Sequence, residues 1–132
     1  MSISAHSAQL QKHLPPVDTV EATAKSKQGA VGTISLSFGT THKGSEWAVG
    51  SENGFVSISG NKVTIDDKTD EIKDERTGVP PEVRVWGEGL AAGKVNEKQS
   101  PEEALADLEL IEAMLRSGEQ GGVPIKLLHQ EW

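Results

Sequence analysis

The sequence predicts an α+β fold with antiparallel strands, and three observations carry that prediction. Apolar residues recur at every second position through much of residues 18–66, the period of a strand with one wetter face. The joints between these segments are short, and Asn53 followed by Gly54 is the strongest hairpin signal that two residues give. Further on, Ser100, Pro101 and Glu103 have the order of a capped helix start ahead of an apolar run with helical spacing. Strands joined by such short turns pair antiparallel, because a parallel pair needs a crossover of about a dozen residues or more.

Residues 1–17 are polar and close on Leu14, Pro15, Pro16 and Val17; the double proline fixes an extended lead-in rather than a helix. In the first strand Val20, Ala22 and Ala24 point one way and Thr19, Glu21, Thr23 and Lys25 the other. Lys27, Gln28 and Gly29 turn the chain into a second strand over 31–38, with Ile34, Leu36 and Phe38 opposite Thr33, Ser35 and Ser37. A loop over 39–44 precedes a third strand over 46–51. The Asn53 and Gly54 turn leads into a fourth over 55–59, and Gly60 with Asn61 into a fifth over 62–66.

The stretch 66–80 reads as a charged loop; its first part, DDKTDEIKDER, mixes both signs around one apolar residue and lacks the glycine and closing glutamate of a calcium loop. In the helix after Ser100, Ala104, Leu105, Leu108, Ile111 and Leu115 form the apolar face, with Glu102, Glu109 and Arg116 free to face water and Gly118 as the stop. Gly121 and Gly122 loosen the chain before a last strand or extended tail over 123–128. Between these elements, Val83 to Trp86 runs into Gly87-x-Gly89-x-x-Ala92, the outline of a dinucleotide-binding turn. That motif holds only inside a βαβ unit, and the polar residues ahead of Ser100 and Pro101 leave no helix directly after it. The alternative is a helix from Pro81 with Val83, Trp86 and Leu90 on one face and Gly93 as its cap.

A chain of 132 residues is enough for a single domain, 1–132, and too short for two ordinary ones. Thirteen basic against 20 acidic residues give a formal charge of −7. That disfavours nucleic acid, whose phosphates need clustered Lys and Arg, and it disfavours an anionic membrane surface. The lack of cysteine removes disulfides, thiolate catalysis and cysteine-ligated metals together. No apolar run approaches the ~20 residues that span a bilayer. The start, MSISAH, lacks a basic stretch followed by an apolar one, so a cytoplasmic location is expected.

Three stretches taken in order point to a family: QLQKHLPPVDT over 9–19, GTISLSFGTT over 32–41 and SPEEALADLE over 100–109. With them the chain resembles the C-terminal domain of fungal members of the glucose-fructose oxidoreductase and inositol dehydrogenase family (Gfo/Idh/MocA). The resemblance implies a mostly antiparallel open β-sheet with two or so helices packed on one face. The other face serves subunit contact or closes a substrate pocket. Full-length members carry a Rossmann domain for the nicotinamide cofactor, a Glu-Lys-Pro motif and a later Asp and His. None of these lies in the present sequence, so the resemblance implies the substrate-side half without a cofactor. Sheet surface left bare by the missing half implies a homodimer formed through the sheet.

Candidate chemistry falls on a few side chains. His42 lies in the loop after the second strand, and His13 precedes the two prolines as a lid or pocket-rim residue. His6 and His129 stand near the ends of the chain, and no His-x-His or His-x-x-x-His spacing suggests a metal. Glu21 and Glu46 are candidate general acids or bases, since a carboxylate beside an apolar wall has a raised pKa. Trp47, Trp86 and Asp18 are candidate substrate-binding residues, with the plainer reading that both tryptophans belong to the core. Two functions follow from different classes. One is a cofactor-independent isomerase, cyclase, dehydratase or pericyclase-type enzyme on a small organic molecule, suited to fungal secondary metabolism. The other is a non-catalytic dimeric binding or assembly module.

Overall fold

The computed structural model describes residues 1–72, 78–94 and 96–130. In chain order the elements are β1 (Ser2–Ala8), β2 (Thr19–Lys25), β3 (Val31–Ser37), β4 (Glu46–Ser51), β5 (Gly54–Ser59), β6 (Lys62–Ile65), β7 (Lys68–Glu71), α1 (Val79–Ala91), α2 (Pro101–Glu119) and β8 (Ile125–Lys126), with a short 3-10 turn at Glu97–Gln99. The fold is α+β, and every strand pairing is antiparallel. The strands divide between two four-stranded sheets, β3-β2-β1-β8 and β4-β5-β6-β7. The break falls where residues 38–45 join β3 to β4, a connection with two glycines that is too long for a tight hairpin. The chain forms two compact units, one of Met1–Thr41 with the segment from Asn96 onward, the other His42–Val95.

In the first unit β1 is an inner strand between β2 and β8. It corrects the reading of residues 1–17 as a lead-in. SISAHSA alternates as a strand does, but its inward residues Ile3, Ala5 and Ser7 are mostly too small to register as an apolar pattern. The same smallness lets α2 lie close. A Cβ added at Gly118 would overlap Ser7, so glycine is needed at that crossing. Ile3, Ala5 and Ala22 of the sheet, Ala113 and Met114 of α2, and Leu127 form the core, with Val20, Ile34, Leu110 and Ile125 packed around it.

The orientation of α2 reverses the sequence reading. The buried face carries Ala113, Met114 and Ser117, whereas Leu105, Leu108, Ile111 and Leu115 are exposed. Ala113 and Ser117 sit beside Met114 on that face where the helix approaches closely, so bulk was a poor guide to which side is covered. The start is as expected: Ser100 Oγ accepts the Glu103 amide at 3.2 Å and Pro101 holds the first position. The stop differs, since Gly118 lies inside the last turn and the left-handed residues are Gly121 and Gly122.

Ser117, with 0% of its surface exposed, ties three segments together. Its Oγ accepts the Ala5 amide at 2.8 Å and donates to the Val123 carbonyl at 2.7 Å. β8 pairs only with Ser2 and Ile3, so the Ala5 amide would otherwise be buried without a partner. Ser117→Ala is therefore expected to lower stability by about 2 kcal/mol, measured by urea unfolding.

In the second unit β4 to β7 form a meander; the hairpin expected at Asn53 and Gly54 is present, with Glu52 and Asn53 as its turn residues and Ser51 opposite Gly54, which already belongs to β5. At the hairpin between β6 and β7 Asp66 takes a positive φ of 51° and accepts the Phe55 amide at 2.9 Å, with Gly54 lying directly under its carboxylate. The charged loop expected over 66–80 is replaced in part by β7 and by the first turn of α1. β7, KTDE, has no apolar residue to mark it and is held by pairing with β6, including Thr64 and Thr69 hydroxyls 3.0 Å apart. Residues 73–77 of that loop lie outside the described residues. The Gly87-x-Gly89 outline falls inside α1, which is the helical alternative; it begins two residues earlier than Pro81 and buries none of its residues.

Candidate functional site

The candidate residues divide between the two units. In the first, Asp18 stands just before β2 and is only 5% exposed. Its carboxylate accepts the Leu10 amide at 2.9 and 3.1 Å, the Gln11 amide at 2.8 Å and the Thr19 hydroxyl at 3.0 Å. The Leu10 amide above all holds its pKa below the usual carboxylate value, with Gln11 and Thr19 adding to it against the opposing effect of burial. Its backbone is also engaged, with the carbonyl accepting the Phe38 amide at 2.8 Å. Gly39 lies against the carboxylate so closely that an added Cβ would stand 2.6 Å from Oδ1, and the Gln11 side chain donates to the Gly39 carbonyl at 3.0 Å. Asp18 thus fastens the 9–17 loop to the turn after β3. His13 is exposed on that loop.

Glu21 lies on the face of the first sheet that turns away from α2. It accepts the Ser35 hydroxyl at 2.7 Å and stands directly opposite His6. The row His6, Glu21, Ser35 is one of four; the next holds Ser4, Thr23 and Thr33, and beyond it Ser2, Lys25 and Val31. A broad hollow of about 580 Å³ covers the last two rows and contains neither a carboxylate nor an imidazole. The structure therefore brings Glu21 beside His6 and Ser35, on an open polar surface.

A second hollow, about 290 Å³, lies between α2 and the segment after β8, with Leu105, Leu108, Glu109, Glu112, Arg116 and His129 among its lining. Glu109 is not the water-facing residue that the sequence suggests. Its two carboxylate oxygens accept the amides of Leu128 at 2.6 Å and His129 at 2.9 Å. Burial pushes its pKa up, but these two hydrogen bonds and the nearby His129 side chain prevail and leave it below the ordinary value. Nothing near Glu109 in the sequence signals this role, because its partners lie 19 and 20 residues away.

Both carboxylates have folded pKa values below their ordinary 3.8 and 4.5. The stability they contribute is complete above those values and is lost as pH falls through the lowered folded ones. Glu109→Gln, which removes one of the two, is expected to make acid unfolding shallower below about pH 4.5 while leaving the protein folded at neutral pH. Circular dichroism along an acid titration measures this.

In the second unit His42 and Glu46 are exposed, and Glu46 begins β4 opposite Ser59. Successive residues of a strand face opposite sides, so Trp47 does not wall Glu46. Trp47 is 68% exposed and Trp86, on α1, 57%. The plainer reading of both as core residues is corrected: neither packs into an interior. Instead Trp47 joins a bare apolar face. Cross-strand partners share a face, and the rows Trp47, Ile58, Val63 and Val49, Val56, Ile65 put six apolar side chains on one side of the meander. All but the half-buried Val63 are exposed. The reverse side carries Glu46, Ser57, Ser59, Lys62 and Thr64, together with Ala48 and the exposed Phe55. Among the described residues no three His, Asp or Glu stand together as metal ligands, and no helix is long and apolar enough to cross a membrane.

No family model matches the chain. It is similar to Dehydrogenase FPY6 of Fusarium mangiferae, 28% identical over an alignment of length 124 that covers 87% of this chain and 36% of that protein. Among solved structures it is similar to an oxidoreductase from Thermotoga maritima, with a TM-score of 0.78 and 27% identity over 94% of this chain and 37% of the other. The WlbA dehydrogenase from Bordetella pertussis, solved with NADH and UDP-GlcNAcA, shares the fold at a TM-score of 0.63 and 22% identity, over 96% of this chain and 38% of that one. The chain is thus related to oxidoreductases and spans little more than a third of the length of these relatives.

Proposed function

We propose that the chain is a subunit-contact domain of the Gfo/Idh/MocA type, an assembly module that pairs with a second copy through the bare face of β4 to β6. One observation carries this reading: six apolar residues lie together on one sheet face, while the other side is mostly polar, with Phe55 its one large apolar side chain. A patch of that kind is a liability on a protein that stays alone, and it marks an interaction surface. The partner that fits it is the chain itself. No ionisable side chain interrupts the two rows, so a two-fold pairing brings no like charges together. At the β7 rim Lys68 and Asp70 supply one charge of each sign.

The acid–base residues support the same reading from the other side. Asp18 and Glu109 are engaged by backbone amides, and the larger hollow has no group for proton transfer except Lys25. Light scattering at micromolar concentration tests the proposal: a mass twice that of the chain is expected, and a monomer sinks it.

A cofactor-independent isomerase, cyclase or lyase is the second reading, favoured by the 290 Å³ hollow with Glu112 and His129 on its wall. Its test is conversion of an accumulated compound, at unchanged or water-shifted mass, when purified protein is added to a metabolite extract of a strain lacking the gene.

A further inference from the structure

Asn53 and Gly54 sit in a hairpin, but not in the turn that this pair usually makes. A type I′ turn places both residues at positive φ. Among the described residues Asp66 is the only non-glycine with a positive φ, so Asn53 has a negative one. Gly54, at φ 145°, pairs with Ser51 as the first residue of β5. A Cβ at Gly54 would overlap the Asp66 carboxylate, which accepts the Phe55 amide. Glycine after Asn53 is thus fixed by the close approach of Asp66.

Asn53 itself is held only by its backbone. Its amide donates to Ser51 Oγ at 3.2 Å, and the same hydroxyl donates to the Gly54 carbonyl at 3.2 Å. Its side chain is exposed and makes no hydrogen bond among the described residues. The other two asparagines differ. Asn61 is half-buried and precedes Lys62. Asn96 precedes Glu97, and its side chain accepts the Lys98 amide at 3.0 Å.

We infer that the Asn53–Gly54 peptide is a self-modifying site, which converts to an isoaspartyl link and so loosens β4 from β5. The Gly54 backbone nitrogen attacks Cγ of the Asn53 side chain. A bond forms between that nitrogen and Cγ, the Cγ–Nδ2 bond breaks, and Nδ2 leaves as ammonia with the proton that Gly54 gave up. Water then opens the five-membered imide. Cleavage between Cγ and the Gly54 nitrogen leaves aspartate at position 53 in an ordinary chain. Cleavage at the Asn53 backbone carbonyl leaves the chain running through Cγ. Nothing is oxidised or reduced, and the sum is hydrolysis of one amide to acid and ammonia. A Cβ on the following residue crowds the attacking nitrogen, and glycine has none. The unbonded Asn53 side chain rotates into position without breaking a contact.

The isoaspartyl product changes the fold locally because the turn is only two residues long. Loop length sets the register of a hairpin, and this link adds one backbone atom between Ser51 and Gly54. The pairings that follow, Val49 with Val56 and Trp47 with Ile58, depend on that register. A new carboxylate also appears next to Glu52.

The full chain is kept in mildly alkaline buffer, which favours loss of the amide proton, and is sampled over time by tryptic mass spectrometry. The peptide 44–62 carries Asn53 and Asn61 together, so one spectrum compares them. The mass rise that exchange of NH2 for OH brings is expected at Asn53 at least about tenfold sooner than at Asn61 or Asn96. It should come as two products of equal mass that separate by reversed-phase chromatography. Conversion at Asn53 no faster than at the other two asparagines overturns the inference, and so does aspartate as the sole product. Hydrogen exchange then compares the isolated isoaspartyl form with Asn53→Asp, which carries the same charge on an unlengthened backbone. The β4 and β5 amides of the isoaspartyl form are expected to exchange about tenfold faster. Equal rates in the two forms overturn the loosening of the hairpin.

Discussion

Asp18→Ala is expected to release the 9–17 loop while β1 and β2 stay paired. The carboxylate is the shared acceptor for the Leu10 and Gln11 amides and the Thr19 hydroxyl; the Gln11 side chain also donates to the Gly39 carbonyl, and the Thr19 and Ser37 hydroxyls are 2.7 Å apart. Hydrogen bonds to a charged acceptor are the stronger kind, and losing even one shifts a local opening equilibrium about tenfold. Tryptic cleavage after Lys12, which lies on the loop, is therefore expected to speed up by about tenfold or more. Asp18→Asn should fall between, since it keeps one acceptor oxygen and loses the charge. Gly39→Ala reaches the same latch from the opposite side, because its Cβ would stand 2.6 Å from Oδ1 and force the carboxylate away. The two changes should not add. With alanine at 18 the space beside position 39 is free, so Asp18→Ala with Gly39→Ala should cleave no faster than Asp18→Ala alone. Additive rates would mean that Gly39 acts on something other than Asp18.

The elements that the sequence disclosed are those whose local chemistry decides their structure. β2 to β6 alternate and are bounded by turns with glycine or asparagine, and α2 starts at a serine cap. What stayed hidden depends on contacts far along the chain. β1 is a strand because β2 and β8 lie on either side of it, although SISAHSA has only one large apolar residue. The face of α2 was misjudged because size was taken for burial, whereas the close crossing at Ser7 and Gly118 selects small residues. Glu109 shows the same limit at the level of a site, its partners lying beyond the end of its own helix. Asp18 was noticed as a carboxylate at a strand start, but its capture by Leu10 and Gln11 depends on how the loop folds back.

Trp47→Glu combined with Ile58→Glu is expected to convert the dimer into a monomer that stays folded. Both residues are exposed in the single chain, so replacing them removes no core contact, and the first unit's core lies in other residues. At the interface the effect is large. A central tryptophan commonly carries 2 kcal/mol or more, about a 30-fold change in affinity, and each new carboxylate would have to be buried without a partner. Two such changes on one row should raise the dissociation constant by at least about 100-fold, read by analytical ultracentrifugation across a dilution series. The reverse face supplies the control. Ser57→Glu lies on the polar side of the same strand and should leave the mass unchanged. A double variant that remains dimeric would move the contact away from this face altogether. A double variant that is monomeric, with Ser57→Glu still dimeric, would assign the contact to the side of β5 that carries Val56 and Ile58.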